Sequence, residues 1–340
     1  MPEYRIGGYY LSGIEMNVVN DDKSEIRWIP DGFHFRGPKK AENRRKIINE
    51  ISEFFKKSSY TEVFLPSFDY SATFSNHLQT EGSVLKVRDF AGSEISPSSD
   101  LTIQAVKGIA GNSDIENLKI FYTSSVVRDN QLHNGRRRES FQAGAEIIGR
   151  SDNNTIAEII QEIQQIMNFY GLADKFILVL GNSQIIRTLA AEMKLSAKDS
   201  FEFSRLLYKK DWPGMSHFLQ QRKIPDTLYE IVKLLLFADD FTLVAQGLQT
   251  SGIPGFDAIL SATREFLNIK NINICADYSL IRDLDYYTGY IFQGYIAGFS
   301  QPLVTGGVYD HLYRRFSDEE KPACGYAVDL DLLEELIELK

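Results

Sequence analysis

The chain has 340 residues, 43% hydrophobic and 24% charged, with a formal net charge of −9. This is the composition of a folded globular protein of one large domain or two ordinary ones, and it excludes compositional disorder. The acidic balance also excludes a chain-wide nucleic-acid surface, which would be basic, leaving room only for a local basic patch.

The start, "MPEYRIGGYYLSG", lacks a basic segment leading into an apolar core, so it does not read as a signal peptide. In chain order, "AENRRKIINEISEFFKKSSY" carries Ile47, Ile48, Ile51, Phe54 and Phe55 at helical spacing and predicts an amphipathic helix. "TEVFLPSFDY" reads as a strand whose Pro66 cannot donate to a ladder, which suggests a sheet edge or an interface. "VLKVRDFAGSEISPSSDLT" predicts a hairpin turning at Ala91-Gly92-Ser93, then a helix from near Thr102 with Asp100 as its cap. "NLKIFYTSSVVRD" and "RRRESFQAGAEIIG" predict two strands around the loop "NQLHNG", where Asn134-Gly135 is a turn signal. Residues 154–170 are helical in period and "KFILVLGN" is a buried strand. From about 184 to 268 apolar residues recur at three and four, which predicts a helical insertion between core segments 1–183 and 269–340. Strand signals return at "YTGYIFQGYIAGF" and "QPLVTGGVYDHL", and "VDLDLLEELIELK" closes as a helix. The expected fold class is α+β: an antiparallel sheet with helices packed on it, interrupted by a helical module. No apolar run approaches the ~20 residues that span a bilayer. Cys275 and Cys324, without metal-ligand spacing, read as reduced thiols in a cytoplasmic protein.

Four polar clusters stand apart from this pattern. Asp100 and Thr102 follow the hairpin, where a helix cap is the plain explanation of the acid. Gln142 and Glu146 fall on one strand face, with Gly144 between them leaving room for a ligand to approach. In "IRDLDYYTGY", Arg282 precedes Tyr286 and Tyr287, which on a strand would face opposite sides. In "TGGVYDHL" two glycines suggest an unusual turn, with Tyr309 after it. A free amino acid needs an acid for its amino group and a guanidinium for its carboxylate; an imidazole needs a carboxylate at one nitrogen and a hydroxyl at the other. Asp100, Arg282, Glu146 and a tyrosine are that set of parts.

At these residues the chain resembles histidyl-tRNA synthetase and its class II relatives, from about Ile29 to Leu333. "SSYTEVFLPSF" is similar to the class II first motif, whose proline, here Pro66, sits at the dimer interface. "VRDNQLHNGRRRESFQAGAEIIG" resembles the second motif running into the histidine-binding strand, and "PACGYAVDLDLLEEL" the third. "IRDLDYYTGY" and "TGGVYDHL" resemble the two histidine-specific signatures. The resemblance implies that Asp100, Thr102 and Gln142 hold the α-amino group and that Arg282 meets the carboxylate. It also implies that Glu146 and Tyr287 lie around the imidazole, with Tyr286 and Tyr309 nearby.

The ATP site departs from that pattern. Arg128 keeps the second-motif arginine, but Asn130 stands where a glutamate is expected, and "DLDL" from Asp329 to Leu332 replaces "GLER", so the third-motif arginine has become Leu332. Losing that cation removes charge stabilisation from a polyphosphate site. The anticodon-binding domain expected after the third motif is also missing from this sequence. A kept histidine pocket with an eroded ATP site resembles one family, the regulatory subunits of ATP phosphoribosyltransferase. The resemblance implies a non-catalytic chain that binds L-histidine and partners a short-form catalytic subunit, as a homodimer within a hetero-oligomer (an octamer in the family). No cofactor, metal or tRNA is implied. The competing readings are a truncated synthetase paralogue that adenylates histidine, and a tRNA-binding module built on Arg136 to Arg138.

Overall fold

The structure, a computed structural model, describes residues 5–6, 9–10, 29–75, 84–111, 116–129, 137–238, 240–280 and 286–339. Short strands β1 (Arg5–Ile6) and β2 (Tyr9–Tyr10) pair antiparallel. Helix α1 (Pro38–Lys57) opens on a proline, whose missing N–H would be unpaired in a first turn anyway, and buries Ile47, Ile51 and Phe55 along one face. After it comes β3 (Thr61–Glu62). The stretch read as one strand through Pro66 is two pieces. Strand β4 (Phe68–Tyr70) joins β5 (Val87–Arg88) and β6 (Glu94–Pro97) in a separate three-stranded sheet. Proline breaks the ladder, and its carbonyl is taken instead by Ser98 Oγ at 2.9 Å and Gln104 Nε2 at 3.2 Å. The expected hairpin turn is present: Gly92, at φ +83°, donates its N–H to the Asp89 carbonyl between β5 and β6. A short helix, α2 (Ser71–Ser75), lies against this sheet.

The main elements then follow in the expected order. They are α3 (Leu101–Ala110), β7 (Leu118–Val127), β8 (Glu139–Ile148), α4 (Asn153–Phe169) and β9 (Phe176–Asn182). The helical module comprises α5 (Ser183–Glu192), α6 (Ala197–Tyr208), α7 (Trp212–Gln221), α8 (Asp226–Phe237), α9 (Phe241–Thr250) and α10 (Phe256–Leu267). Strands β10 (Asn273–Ala276), β11 (Tyr290–Ile296), β12 (Val304–Val308) and β13 (Ala323–Asp329) complete the sheet, and α11 (Leu330–Glu338) ends the chain. The eight-stranded sheet runs β10-β9-β11-β12-β13-β8-β7-β3. Its centre is antiparallel as expected, but both edge pairs, β10 with β9 and β3 with β7, are parallel. Each of those edge strands is reached by a long connection through helix rather than a tight turn, which permits the parallel sense.

Three apolar clusters hold this arrangement. Ile47, Phe55, Ile159 and Ile163 of α1 and α4 pack with Leu333 of α11 on one face of the sheet. Leu101, Ile103, Tyr122 and Tyr309 form a smaller cluster on the other face. Ile185, Leu207, Leu219, Val232 and Leu248 belong to a third cluster within the helical module. Full burial of each such side chain is worth about 1.5–3 kcal/mol. Most of the module's helices share that core, while α10 also places Ala262 and Phe266 in the first cluster, against the sheet.

Candidate functional site

Strand register fixes which residues share the second face of the sheet. One row runs Gly307, Gly325, Glu146 and Ile120 across β12, β13, β8 and β7. The next runs Gln293, Thr305, Ala327, Gly144 and Tyr122, beginning on β11. A third places Asp329 beside Gln142 and Gln142 beside Ser124. The glycines of these rows are notches. A Cβ on Gly144 would overlap the Tyr122 ring, one on Gly325 the Glu146 carboxylate and Tyr309 hydroxyl, and one on Gly307 the Tyr287 ring. Gly144 was expected to admit a ligand; it admits Tyr122 instead, because that residue stands directly across from it. The paired glycines expected to form a turn, Gly306 and Gly307, lie inside β12, where missing side chains make room for Phe292 and Tyr287.

These packed tyrosines explain how a carboxyl survives at the bottom of the site. Glu146 is 1% exposed. Tyr122 donates its hydroxyl to Glu146 Oε1 at 2.6 Å, and Tyr309 donates to Oε2. Burial pushes the Glu146 carboxyl up to about 7, against the pull of hydroxyl donors Tyr122, Tyr309 and Thr102, while the nearby Asp100 charge adds to the rise. The same burial, next to the Glu146 charge, holds the Tyr122 and Tyr309 hydroxyls well above their ordinary value, so both remain donors. No cation pairs with Glu146 among the described residues.

Above this floor lies a cavity of about 770 Å³ whose wall includes Asp100, Thr102, Tyr122, Arg128, Gln142, Tyr286, Tyr287 and Tyr309. Every described residue expected at the site is therefore in its wall except Glu146, which lies behind the wall and reaches it through Tyr122 and Tyr309. Arg282 and Asn130 lie outside the described residues. Asp100 is the helix cap, accepting from the Ile103 N–H at 3.0 Å, and also a site residue: its Oδ2 accepts from the Tyr286 hydroxyl at 3.2 Å. Tyr286 and Tyr287 precede β11 rather than lying on it. They do not face opposite sides; their rings are 4.8 Å apart and both are buried at the cavity. An irregular backbone frees them from strand alternation.

Sequence reading missed Tyr122. Its only signal was a large aromatic on the same strand face as Ile120 and Ser124, and its role depends on the β7–β8 register. At the end of the cavity formed by the altered third motif, Asp329 to Leu332, the sequence marks the lost arginine but not the burial of the carboxylate. Asp329 caps α11, accepting from the N–H groups of Asp331 and Leu332 at 2.9 Å each, and burial pushes its carboxyl up to about 6. Leu332 and Glu335 line the same end. Two arginines line the cavity: Arg128 Nε donates to the Ser99 carbonyl at 2.9 Å, and Arg137 pairs with Glu335 and Asp331. Arg138 pairs with Asp129 at 2.6 Å. Asp329 and Glu335 thus put carboxylates at this end of the cavity, beside Arg128 and Arg137. No group of three or more His, Cys, Asp or Glu side chains able to hold a metal occurs among the described residues.

A six-stranded antiparallel centre with this pocket on one face defines a histidyl-tRNA synthetase-like class II protein. The family model described as histidyl-tRNA synthetase matches residues 32–333. Among solved structures, an ATP phosphoribosyltransferase regulatory subunit/histidyl-tRNA synthetase from Bacillus halodurans superposes with a TM-score of 0.78 at 21% identity, covering 91% of this chain and 83% of that one. Histidyl-tRNA synthetase from a Nostoc species gives 0.72 at 17% identity, covering 92% and 75%. Sequence relatives are more specific. An ATP phosphoribosyltransferase regulatory subunit from Leptospira interrogans is 38% identical, over 94% of this chain and 96% of its own length. One from Caldanaerobacter subterraneus is 28% identical, over 89% and 81%. The chain belongs to the family of ATP phosphoribosyltransferase regulatory subunits, built on the histidyl-tRNA synthetase fold.

Proposed function

We propose that this chain is a non-catalytic regulatory subunit, that a short-form ATP phosphoribosyltransferase catalytic subunit requires it for the first step of histidine biosynthesis, and that L-histidine binds in the cavity as the feedback signal. The observation that carries the reading is the buried Glu146 carboxylate held by two tyrosine hydroxyls at the floor of a cavity walled by Asp100, Thr102 and Gln142. An imidazole N–H donates into a tyrosine–carboxylate pair of this kind, with Glu146 as the final acceptor. Asp100 and Gln142 take the α-amino group and Arg282 the carboxylate. The acidic end around Asp329 and Glu335 favours a chain that does not adenylate, and the committed Arg137 and Arg138 favour one that does not bind tRNA.

The core comprises residues 1–183 and 269–340, with 184–268 as a helical insertion, and the subunits pair two-fold through the face around Pro66 within a cytoplasmic hetero-oligomer. Among the described residues no helix is long and apolar enough to cross a membrane. The test has two arms. With L-histidine and ATP alone, the chain should give no histidine-dependent exchange of pyrophosphate into ATP; robust exchange would establish the truncated-synthetase alternative. Mixed with a short-form catalytic subunit, ATP and phosphoribosyl pyrophosphate, it should raise turnover, and histidine should then suppress it. A catalytic subunit equally active with and without this chain would overturn the regulatory reading.

A further inference from the structure

The helical module meets the cavity wall, and Tyr208 of α6 and Lys210 line the cavity directly. Its first helix, α5, is capped by Asn182, whose side chain accepts from the Gln184 N–H at 2.9 Å. Ile185, Ile186 and Leu189 of α5 belong to the module's own core. Ser183 and Arg187, one turn apart on the helix, reach the sheet body instead. Arg187 Nη2 donates to the Tyr287 carbonyl at 2.6 Å, and Ser183 Oγ donates to the same carbonyl at 3.2 Å and to that of Gly289 at 3.1 Å.

The ring of that same Tyr287 is buried in the cavity wall. It lies against Tyr286 and, at 6.3 Å, against Tyr309, over the notch at Gly307. One residue thus presents its ring to the ligand space and its carbonyl to the module. Tyr286, Tyr309 and Gly307 crowd the ring on these sides, which ties a displacement of the ring by a ligand to its own peptide. A guanidinium on a carbonyl is a charge-assisted bond, strong enough to carry such a movement into the helix that holds it. A second tie lies at the same cavity: Lys210, just after α6, pairs at 3.1 Å with Asp277, and both line the wall.

We propose that Arg187 is a positioning residue that couples the helical module to occupancy of the cavity through the Tyr287 carbonyl. The proposal rests on the reading that histidine is the ligand. The test compares amide hydrogen exchange of the full chain with and without L-histidine, alongside calorimetric titration, in wild type, Arg187→Met and Arg187→Lys. In wild type, histidine should slow exchange both at the wall, residues 100–105 and 286–289, and in α5 and its module neighbours. Arg187→Met should keep histidine affinity within about threefold and keep wall protection, yet lose the module response. Arg187→Lys, which retains a cationic donor, should regain part of it. Circular dichroism confirms folding; should Arg187→Met not fold, Arg187→Gln, which removes the charge but keeps a polar side chain, takes its place. Equal module protection in wild type and Arg187→Met would overturn the coupling, as would a wild-type module that does not respond while the wall does. Absence of both binding heat and wall protection in wild type would overturn the histidine reading, and the coupling with it.

Discussion

Glu146 is where single-residue chemistry decides most. Replacing it by Ala removes the final acceptor beneath the proposed imidazole, a charge-assisted interaction worth on the order of 1.5–3 kcal/mol net. Histidine affinity should fall roughly tenfold to a hundredfold in calorimetry, and the inhibitory concentration of histidine on the assembled enzyme should rise with it. Activation of the partner should survive. Identical dose–response curves for wild type and Glu146→Ala would remove Glu146 from the site. Stability should move the other way. The folded carboxyl sits at about 7, above its ordinary value of 4.5, so the folded state holds its proton after the unfolded chain has lost it. Stability from this group is therefore intact below pH ~4.5 and is lost as pH rises through ~7. Glu146→Gln keeps the shape without the charge. It should melt higher than wild type at pH 8, by roughly 1–3 kcal/mol of stability, with the gain vanishing near pH 4.5. A gain of the same size at both pH values would show that ionisation is not its cause.

At the scale of elements, register controls the site. Tyr122 of β7 and Gly144 of β8 are direct partners, and the notch at Gly144 is what lets the Tyr122 hydroxyl reach Glu146. Gly144→Ala places a methyl in the ring of Tyr122 and must push that ring or separate the strands. The expected cost is about 1–3 kcal/mol in denaturant unfolding, with loss of histidine binding. Gly92→Ala is the contrast. An alanine at that positive φ is strained, but the position has open space around it and lies outside the cavity wall, so the substitution should lower stability slightly and leave binding unchanged. If Gly144→Ala bound histidine like wild type, the Tyr122 hydroxyl would not belong to the site. The helix α3 was readable from its cap, and the β5–β6 hairpin from its turn, because both are signals confined to a few adjacent residues. The positions of Tyr286 and Tyr287 were not, since two adjacent aromatics before a strand look the same as two within it.

For the whole molecule, the exposed apolar side chains are informative. Phe64, Phe68 and Tyr70 flank Pro66, and all three are exposed; Phe90 projects from the adjoining hairpin. Such residues on the segment around Pro66 are the material of a self-complementary contact. Light scattering at micromolar concentration should give a dimer, and Phe64→Asp should shift it toward monomer with little change in the circular dichroism spectrum. A strictly monomeric wild type would remove this face as the subunit interface.

The sequence by itself determined the α+β class, the order of the main helices and central strands and the helical character of 184–268, and it named seven residues that line the cavity: Asp100, Thr102, Arg128, Gln142, Tyr286, Tyr287 and Tyr309. Each of these is carried by local periodicity, a cap or turn residue, or a motif quoted in full. Only the tertiary structure decided that Tyr122 completes the floor, that Gly144 and Gly307 on two strands make room for tyrosine rings, and that Arg187 of the module grips the peptide of a wall residue. Those facts depend on strand register and on contacts between residues as far apart as Arg187 and Tyr287, and no local pattern encodes a partner a hundred positions away.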